Sequence, residues 1–353
     1  MGSTDKTRAK IMAELREKYE HPKTAEIRFE AISSGNLMLD WAIGRGGIPR
    51  GTAIDLFGLP SLGKTTMVLS IIGERTKFEE RCAFIDVEHR LDQTLIDTMI
   101  PNQKMFEVFQ PKDGDSALAL LKSLVALPEF SMVAVDSMSV IVPSEMAEED
   151  ANPDRPGLAA KRITQAMNLL KDPIYQNRTI VFLLHQMRAN MSFFSKNPSV
   201  PTTNYSTQHL TSLRLAIKRD GISEIKDGDN IIGQRVKIEV VKNTFASPGK
   251  VAPITIMYGK GLDKVRDLID CGIITGVIQK AIGWYTYIDD SDKKAPVEIK
   301  AHGEDELVKK LMPIMPKVYG RIHEAMEKMN TVTGPQTGKT EEVVEIPAEG
   351  KGV

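Results

Sequence analysis

The sequence predicts an α/β fold built on a mostly parallel central sheet. Two observations carry this. Between Thr52 and Met257, the short apolar runs Ala53–Phe57, Cys82–Val87, Met132–Val135 and Thr179–Leu184 are separated by stretches of helical character. Runs that are apolar at every position, not every second one, belong to strands covered on both faces. The first run also leads straight into Gly58-Leu59-Pro60-Ser61-Leu62-Gly63-Lys64-Thr65, and the helix-compatible stretch Thr66–Ile72 follows at once. A glycine-rich loop between strand and helix is the geometry with which such sheets hold phosphate groups.

Taken in order, residues 5–20 place Ile11, Leu15 and Tyr19 at helical spacing among mixed charges, which predicts a short amphipathic helix. Two roles are open to it: capping its own domain, or docking on a neighbouring subunit. A linker follows over 21–31. After the four compact runs, Leu213–Lys218 and Val236–Val241 read as later strands. Both alternate apolar with charged residues, as Val236, Ile238 and Val240 do with Lys237 and Glu239, so each is expected to have one wet face and an antiparallel place at the sheet edge. Beyond Gly261 a smaller unit begins: Leu268, Ile269, Ile273 and Ile274, the aromatics Trp284, Tyr285 and Tyr287, then a helical stretch from Asp305 to Met329. Residues 331–353 hold four Glu against two Lys among Gly, Pro and Thr, and are expected to be disordered. The expected division is 1–31, 32–260, 261–330 and 331–353.

Composition excludes several classes. The 353 residues carry 46 Lys+Arg and 47 Asp+Glu, a net charge of -1, so a uniformly basic chain that coats nucleic acid is ruled out while local basic patches are not. The two cysteines, Cys82 and Cys271, lie in apolar stretches without Cys-x-x-Cys spacing, which excludes a disulfide framework and fits a reducing compartment. No uncharged run is long enough to cross a bilayer, Met1–Glu20 lacks a secretory apolar segment, and Lys6 stands where a myristoylation signal has a hydroxyl. A soluble intracellular chain, without a membrane partner, is the expectation.

Four elements carry chemistry. In Gly58–Thr65 the glycines let successive backbone N–H groups face phosphate oxygens, Lys64 reaches the outer phosphates, and Thr65 offers a hydroxyl to Mg²⁺. A second Gly-Lys-Thr, at Gly338-Lys339-Thr340, is one residue short between its glycines and has no strand before it, so it is rejected. Met132-Val133-Ala134-Val135-Asp136 is an apolar strand ending in a carboxylate, which after such a loop holds the Mg²⁺ directly or through water. Ala83–His89 places Glu88 just past a strand, where a carboxylate can polarise water toward a terminal phosphate; a solvated loop edge is the plainer reading. Leu183-Leu184-His185-Gln186 is a strand ending in an amide that can sense a phosphate without charge repulsion. After it comes Met187–Tyr205, with Arg188 and Lys196, no acid, and the aromatics Phe193, Phe194 and Tyr205. Basic groups interleaved with aromatics suit single-stranded nucleic acid.

These elements in this order resemble the RecA family of homologous-recombination proteins over most of 31–329. Ile32–Asp40, Gly46–Pro49, Phe84–His89, Gly157–Ala160, Val240–Asn243 and Gly283–Tyr287 look like further family signatures. The resemblance implies a P-loop RecA-like ATPase core with an N-terminal helix that packs on a neighbour and a small α+β C-terminal domain. It implies ATP and Mg²⁺ as cofactors. It also implies helical self-assembly on single-stranded DNA, exchange with homologous double-stranded DNA, DNA-dependent ATP hydrolysis, a place in the response to DNA damage, and single-strand-binding and loader proteins as partners. In that reading Glu88, Lys64 and Gln186 are catalytic. Gly58–Thr65, Thr66, Asp92, Leu95, Lys242 and Tyr258 hold the nucleotide, Lys242 from the adjacent protomer, and Thr65 and Asp136 hold the metal. Arg155, Gly157, Lys161, Thr164, Arg188, Asn190, Phe193, Phe194, Lys196 and Tyr205 face DNA.

The sequence departs from the family pattern at named places. Thr244 replaces a second lysine, Leu95 a tyrosine, His209 a phenylalanine, Thr203-Asn204 a glycine pair and Pro156 an apolar residue. The segment 144–157 has a net charge of -4 beside the expected DNA path, which opposes phosphate binding. Two other readings stand beside it: a ring-forming helicase on the same core, against which the N-terminal helix and the Trp284–Tyr287 unit argue, and a regulator that uses ATP as a switch, which Thr244 and His209 keep open.

Overall fold

The computed structural model describes residues 29–138, 158–189, 199–201, 210–289 and 297–331. The expected N-terminal helix, the acidic segment before Leu158, most of the basic loop and the tail lie outside them.

A ten-stranded sheet dominates the described residues. Its parallel part runs β5 (Phe106–Phe109), β4 (Arg81–Asp86), β6 (Phe130–Asp136), β7 (Ile180–Ala189), β3 (Ala53–Gly58) and β9 (Leu213–Asp227), and it continues antiparallel through β10 (Asn230–Asn243), β11 (Val251–Met257) and β12 (Gly261–Leu262). A short β1 (Ala31–Ile32) pairs with β2 (Ile48–Pro49) apart from it. The helices are α1 (Leu37–Ile43), α2 (Lys64–Lys77), α3 (Gln93–Met99), α4 (Gly114–Ala126) and α5 (Leu158–Gln176), then α6 (Lys264–Ile274), α7 (Glu304–Leu311) and α8 (Met315–Thr331).

Why the central runs are apolar throughout is plain from their packing. Successive side chains of a strand point to opposite faces. Ile54 and Leu56, Phe84, Met132 and Ala134, and Phe182 and Leu184 enter one core with α1, α2 and α6. Their alternates Ala53, Ala83 and Ile85, Val133 and Val135, and Val181 and Leu183 enter a second core with α4 and α5. Each strand thus has two buried faces and no place for a solvated residue.

The later strands correct one expectation. Val236, Ile238 and Val240 are fully buried as their alternation predicts, but β9 is no antiparallel edge: it pairs parallel with β3, Ile54 opposite Leu213 and Gly58 opposite Ile217. Leu213, Leu215 and Ile217 join the first core, and that burial fixes the strand beside β3. A second correction concerns β7, which does not end at Gln186. Its parallel pairing stops there, opposite Gly58, but the strand runs on to Ala189 because β8 (Ser199–Pro201) pairs with it antiparallel, Met187 opposite Pro201.

The C-terminal elements add a three-stranded antiparallel sheet, β13 (Ile278–Ala281), β14 (Trp284–Asp289) and β15 (Val297–His302). The expected helical stretch over Asp305–Met329 consists of α7, a 3₁₀ turn at Met312–Ile314 and α8. Pro313 and Pro316 lack the N–H groups a continuous helix needs. Tyr287, Leu307, Leu311, Val318 and Ile322 are buried in the same core that holds α1 and α6.

Candidate phosphate-binding site

The parallel strands deliver their C-terminal ends to one edge, where open α/β sheets bind ligands. β3 ends at Gly58, β4 at Asp86 with Glu88 two residues on, β6 at Asp136, and β7 leaves the parallel ladder at Gln186. Residues far apart in sequence converge there because the strand order interleaves β6 and β7 between β4 and β3.

The loop after β3 is shaped by two glycines. Gly63 has φ 84°, and a Cβ there would stand 2.6 Å from Ile256 Cδ1. At Gly58 a Cβ would meet Ile217 Cγ2 at 2.3 Å, since β9 lies directly alongside. Ser61 also takes a left-handed φ of 60°, and its carbonyl accepts a hydrogen bond from Gln234 Nε2 at 3.0 Å. The loop is therefore pinned from β10. Leu59, Pro60 and Ser61 are exposed, Leu62 is buried, and Lys64 opens α2 with Thr65 and Thr66 in its first turn.

Lys64 is buried and its Nζ donates to the carbonyls of Gly58 (3.1 Å) and Leu59 (2.9 Å). Burial pushes its ammonium below the ordinary value, Asp136 and Glu88 pull it back up, and Arg90 adds to the depression. Thr65 Oγ1 donates to Asp136 Oδ2 at 2.5 Å. Burial raises the Asp136 carboxyl above the usual range, the Thr65 hydrogen bond opposes this, and the Glu88 charge adds to the rise. A hydroxyl and a carboxylate oxygen side by side fit Mg²⁺, which takes few protein ligands and completes its shell with phosphate and water.

Glu88 is held on three sides. Its Oε1 accepts from Ser137 Oγ (2.6 Å) and Gln186 Nε2 (2.7 Å), and its Oε2 lies 3.0 Å from the Arg90 guanidinium. The backbone N–H groups of Val87 and Glu88 both donate to the Asp136 carbonyl, at 2.8 and 3.3 Å, which staples the end of β4 to that of β6. Gln186, Glu88, Asp136, Thr65 and Lys64 thus form one connected cluster at the sheet edge.

Other expected residues are less central. Asp92 is exposed and its Oδ1 caps α3 by accepting from Leu95 N at 2.8 Å. Leu95 is half-buried against the first core. Tyr258 is exposed just past β11, at the end where Gln234 reaches the loop. Lys242 does not approach its own phosphate loop. It sits opposite Arg214, which is level with Asp55 and so about 10 Å back along the strands from Gly58, and its Nζ donates to Thr211 O at 2.6 Å, farther back still. Arg155, Gly157, Asn190, Phe193, Phe194, Lys196 and Tyr205 lie outside the described residues. Lys161 and Thr164 fall in α5 and Arg188 in β7.

Sequence reasoning missed Ser137, Arg90 and Gln234. Ser137 directly follows Asp136 and was within reach of the motif. Gln234 carried no local signal, because only strand pairing brings it to the loop.

Fold and loop define the class: a P-loop α/β protein with a RecA-like ATPase-type core. The family model of the RecA N-terminal domain matches residues 18–263. The Protein RecA of Rhodospirillum centenum is 37% identical over 258 residues, 73% of this chain and 72% of that protein. That of Chlorobium chlorochromatii is 32% identical over 326 residues, 92% of this chain and 87% of that protein. The crystal structure of the RadB recombinase is similar at 20% identity with a TM-score of 0.49, over 65% of this chain and 97% of that one. The chain belongs to the RecA family.

Proposed function

We propose that this protein is an ATP-dependent recombinase of the bacterial cytoplasm or of a phage-infected cell. It assembles into helical filaments on single-stranded DNA, pairs that DNA with a homologous duplex and exchanges strands, and it hydrolyses ATP in a DNA-dependent way. Residues 32–260 act as the ATPase core and 261–330 as an accessory domain. Lys64 and the loop amides hold the phosphates, Thr65 and Asp136 hold Mg²⁺, which neutralises phosphate charge when bound, and Glu88 orients the attacking water.

The observation that carries this reading is the 2.7 Å hydrogen bond from Gln186 Nε2 to Glu88 Oε1. The residue that would activate water is bonded to the strand that runs, three residues later, into the basic and aromatic loop. A change at the terminal phosphate that alters the grip on Glu88 shifts β7, and with it the ends of that loop, paired as β7 and β8. Membership of the RecA family supports the same reading.

Electron microscopy with single-stranded DNA, Mg²⁺ and a slowly hydrolysed ATP analogue tests it. Helical filaments are expected; closed rings would favour a helicase and an absence of assembly a switch protein. Lys64→Ala should abolish ATP binding. Glu88→Gln should keep it and lower turnover by about 10²–10⁴-fold, and hydrolysis at the original rate would remove Glu88 from its role.

A further inference from the structure

Arg90 has no part in the scheme above, yet it stands inside the cluster. We propose that Arg90 is a phosphate-binding residue supplied by the same chain as the P-loop: its guanidinium, paired with Glu88, exchanges that partner for the terminal phosphate of ATP and so releases a Glu88 oxygen toward the attacking water. The inference rests on the nucleotide-site reading of the preceding subsection and adds a residue to it.

The position of Arg90 is built. Asp86, 2% exposed at the end of β4, accepts from Arg90 N at 3.2 Å, Leu91 N at 3.0 Å and Gln110 Nε2 at 3.0 Å. His89 takes a left-handed φ of 54° just before it. These contacts turn the chain sharply after Glu88, so that the side chain of Arg90 comes back over the Glu88 carboxylate. The same segment is stapled to Asp136 through Val87 N and Glu88 N, and Asp136 holds Thr65 at the start of α2. Arg90 is therefore referenced by hydrogen bonds to the metal-binding pair and to the phosphate loop.

Its side chain, in contrast, is free to move. It is 73% exposed while Glu88 is 10% exposed, so solvent screens the Arg90 end of the pair and the contact adds little to folding stability. The contact matters for what it occupies. Glu88 Oε1 already takes two hydrogen bonds, from Ser137 and Gln186. Oε2, the oxygen left for a water molecule, is the one Arg90 covers at 3.0 Å. A triphosphate terminus carries more charge than one carboxylate and offers the paired oxygens that a planar guanidinium matches. Two cations, Lys64 and Arg90, converge on this edge closely enough for Arg90 to depress the Lys64 ammonium. A polyphosphate is the ligand that relieves that repulsion.

The test uses the full chain with Arg90→Gln and Arg90→Lys, measuring the dissociation constants of Mg·ATP and Mg·ADP and the DNA-stimulated turnover. Because only ATP has the third phosphate, Arg90→Gln should weaken ATP about tenfold, leave ADP unchanged, and lower turnover by about tenfold or more. Arg90→Lys, which keeps the charge without the fork, should lie between the two. Equal losses for ATP and ADP, an unchanged ratio, or faster turnover in Arg90→Gln would each overturn the inference. If the wild type binds ATP, loses it with Lys64→Ala and ignores Arg90→Gln, the Arg90 role alone falls. If the wild type binds neither nucleotide, the site reading falls and takes Arg90 with it.

Discussion

Asp55 sets a carboxylate with no solvent exposure into β3, three residues before the phosphate loop. Its Oδ2 accepts from Arg214 Nε at 2.8 Å, and its Oδ1 lies 2.6 Å from His185 Nδ1, off the line of a good hydrogen bond. Arg214 also stacks over the Phe57 ring at 4.9 Å. The three charged or chargeable groups come from three adjacent strands, β9, β3 and β7, and His185 is the neighbour of Gln186. Taking ions out of water is costly, and losing one member leaves the others uncompensated. Asp55→Ala is expected to destabilise the fold by about 3 kcal/mol, with Asp55→Asn costing less because an acceptor remains for Arg214. Urea unfolding measures both, and equal midpoints for Asp55→Ala and the wild type would contradict this account. Neither the Asp55 triad nor the grip of Ser137 on Glu88 was legible in the sequence. Each joins residues about 50 to 160 positions apart, and only the register of parallel strands says which side chains meet.

Among the elements, α1 shows how a buried acid can tie stability to pH. Asn36 caps the helix through Leu39 N at 2.8 Å, and Asp267 of α6 accepts from Leu37 N at 2.6 Å and Met38 N at 3.0 Å. Burial pushes the Asp267 carboxyl up to about 8, the two N–H groups pull it down, and the nearby Asp40, itself raised to about 6 by burial, pushes it up again. Between 3.8, its ordinary value, and about 8, the folded chain keeps a proton that the unfolded chain has lost. This contribution to stability is therefore full below that window and declines as pH rises through it, on the order of 1 kcal/mol per pH unit. The melting temperature should fall between pH 5 and pH 8 more steeply in the wild type than in Asp267→Asn, which cannot ionise. Parallel slopes would show that Asp267 does not carry the effect. The elements that sequence patterning placed well were those whose signal is complete within their own residues, such as the strands apolar on both faces. It misjudged β9 and the end of β7, where a partner strand, not the local pattern, sets position and length.

For the whole molecule, the placement of Lys242 has the largest consequence. Its ammonium bonds Thr211 O, well away from its own phosphate loop. Burial and the neighbouring cations Arg214 and Lys171 hold it below the ordinary lysine value. In the proposed filament, each site would join the P-loop of one protomer to Lys242 of the next, a head-to-tail contact. Lys64→Ala and Lys242→Ala should each be inactive alone. Mixed in equal amounts before assembly, they should regain activity at about one interface in four, where an intact loop meets an intact lysine. Steady-state hydrolysis of the mixture measures this, and no recovery would place Lys242 outside the site.

The sequence by itself determined the α/β class, the family, the phosphate loop and the carboxylates at the strand ends, because each is written in contiguous residues whose spacing is the chemistry. Tertiary structure decided which of those groups touch. It set Gln186 on Glu88, Gln234 on the phosphate loop and Arg90 over Glu88 Oε2, and it kept Lys242 away from its own loop. Strand order and register are solved by two buried cores at once. A local pattern shows that a residue faces inward, and only the finished sheet shows what it faces.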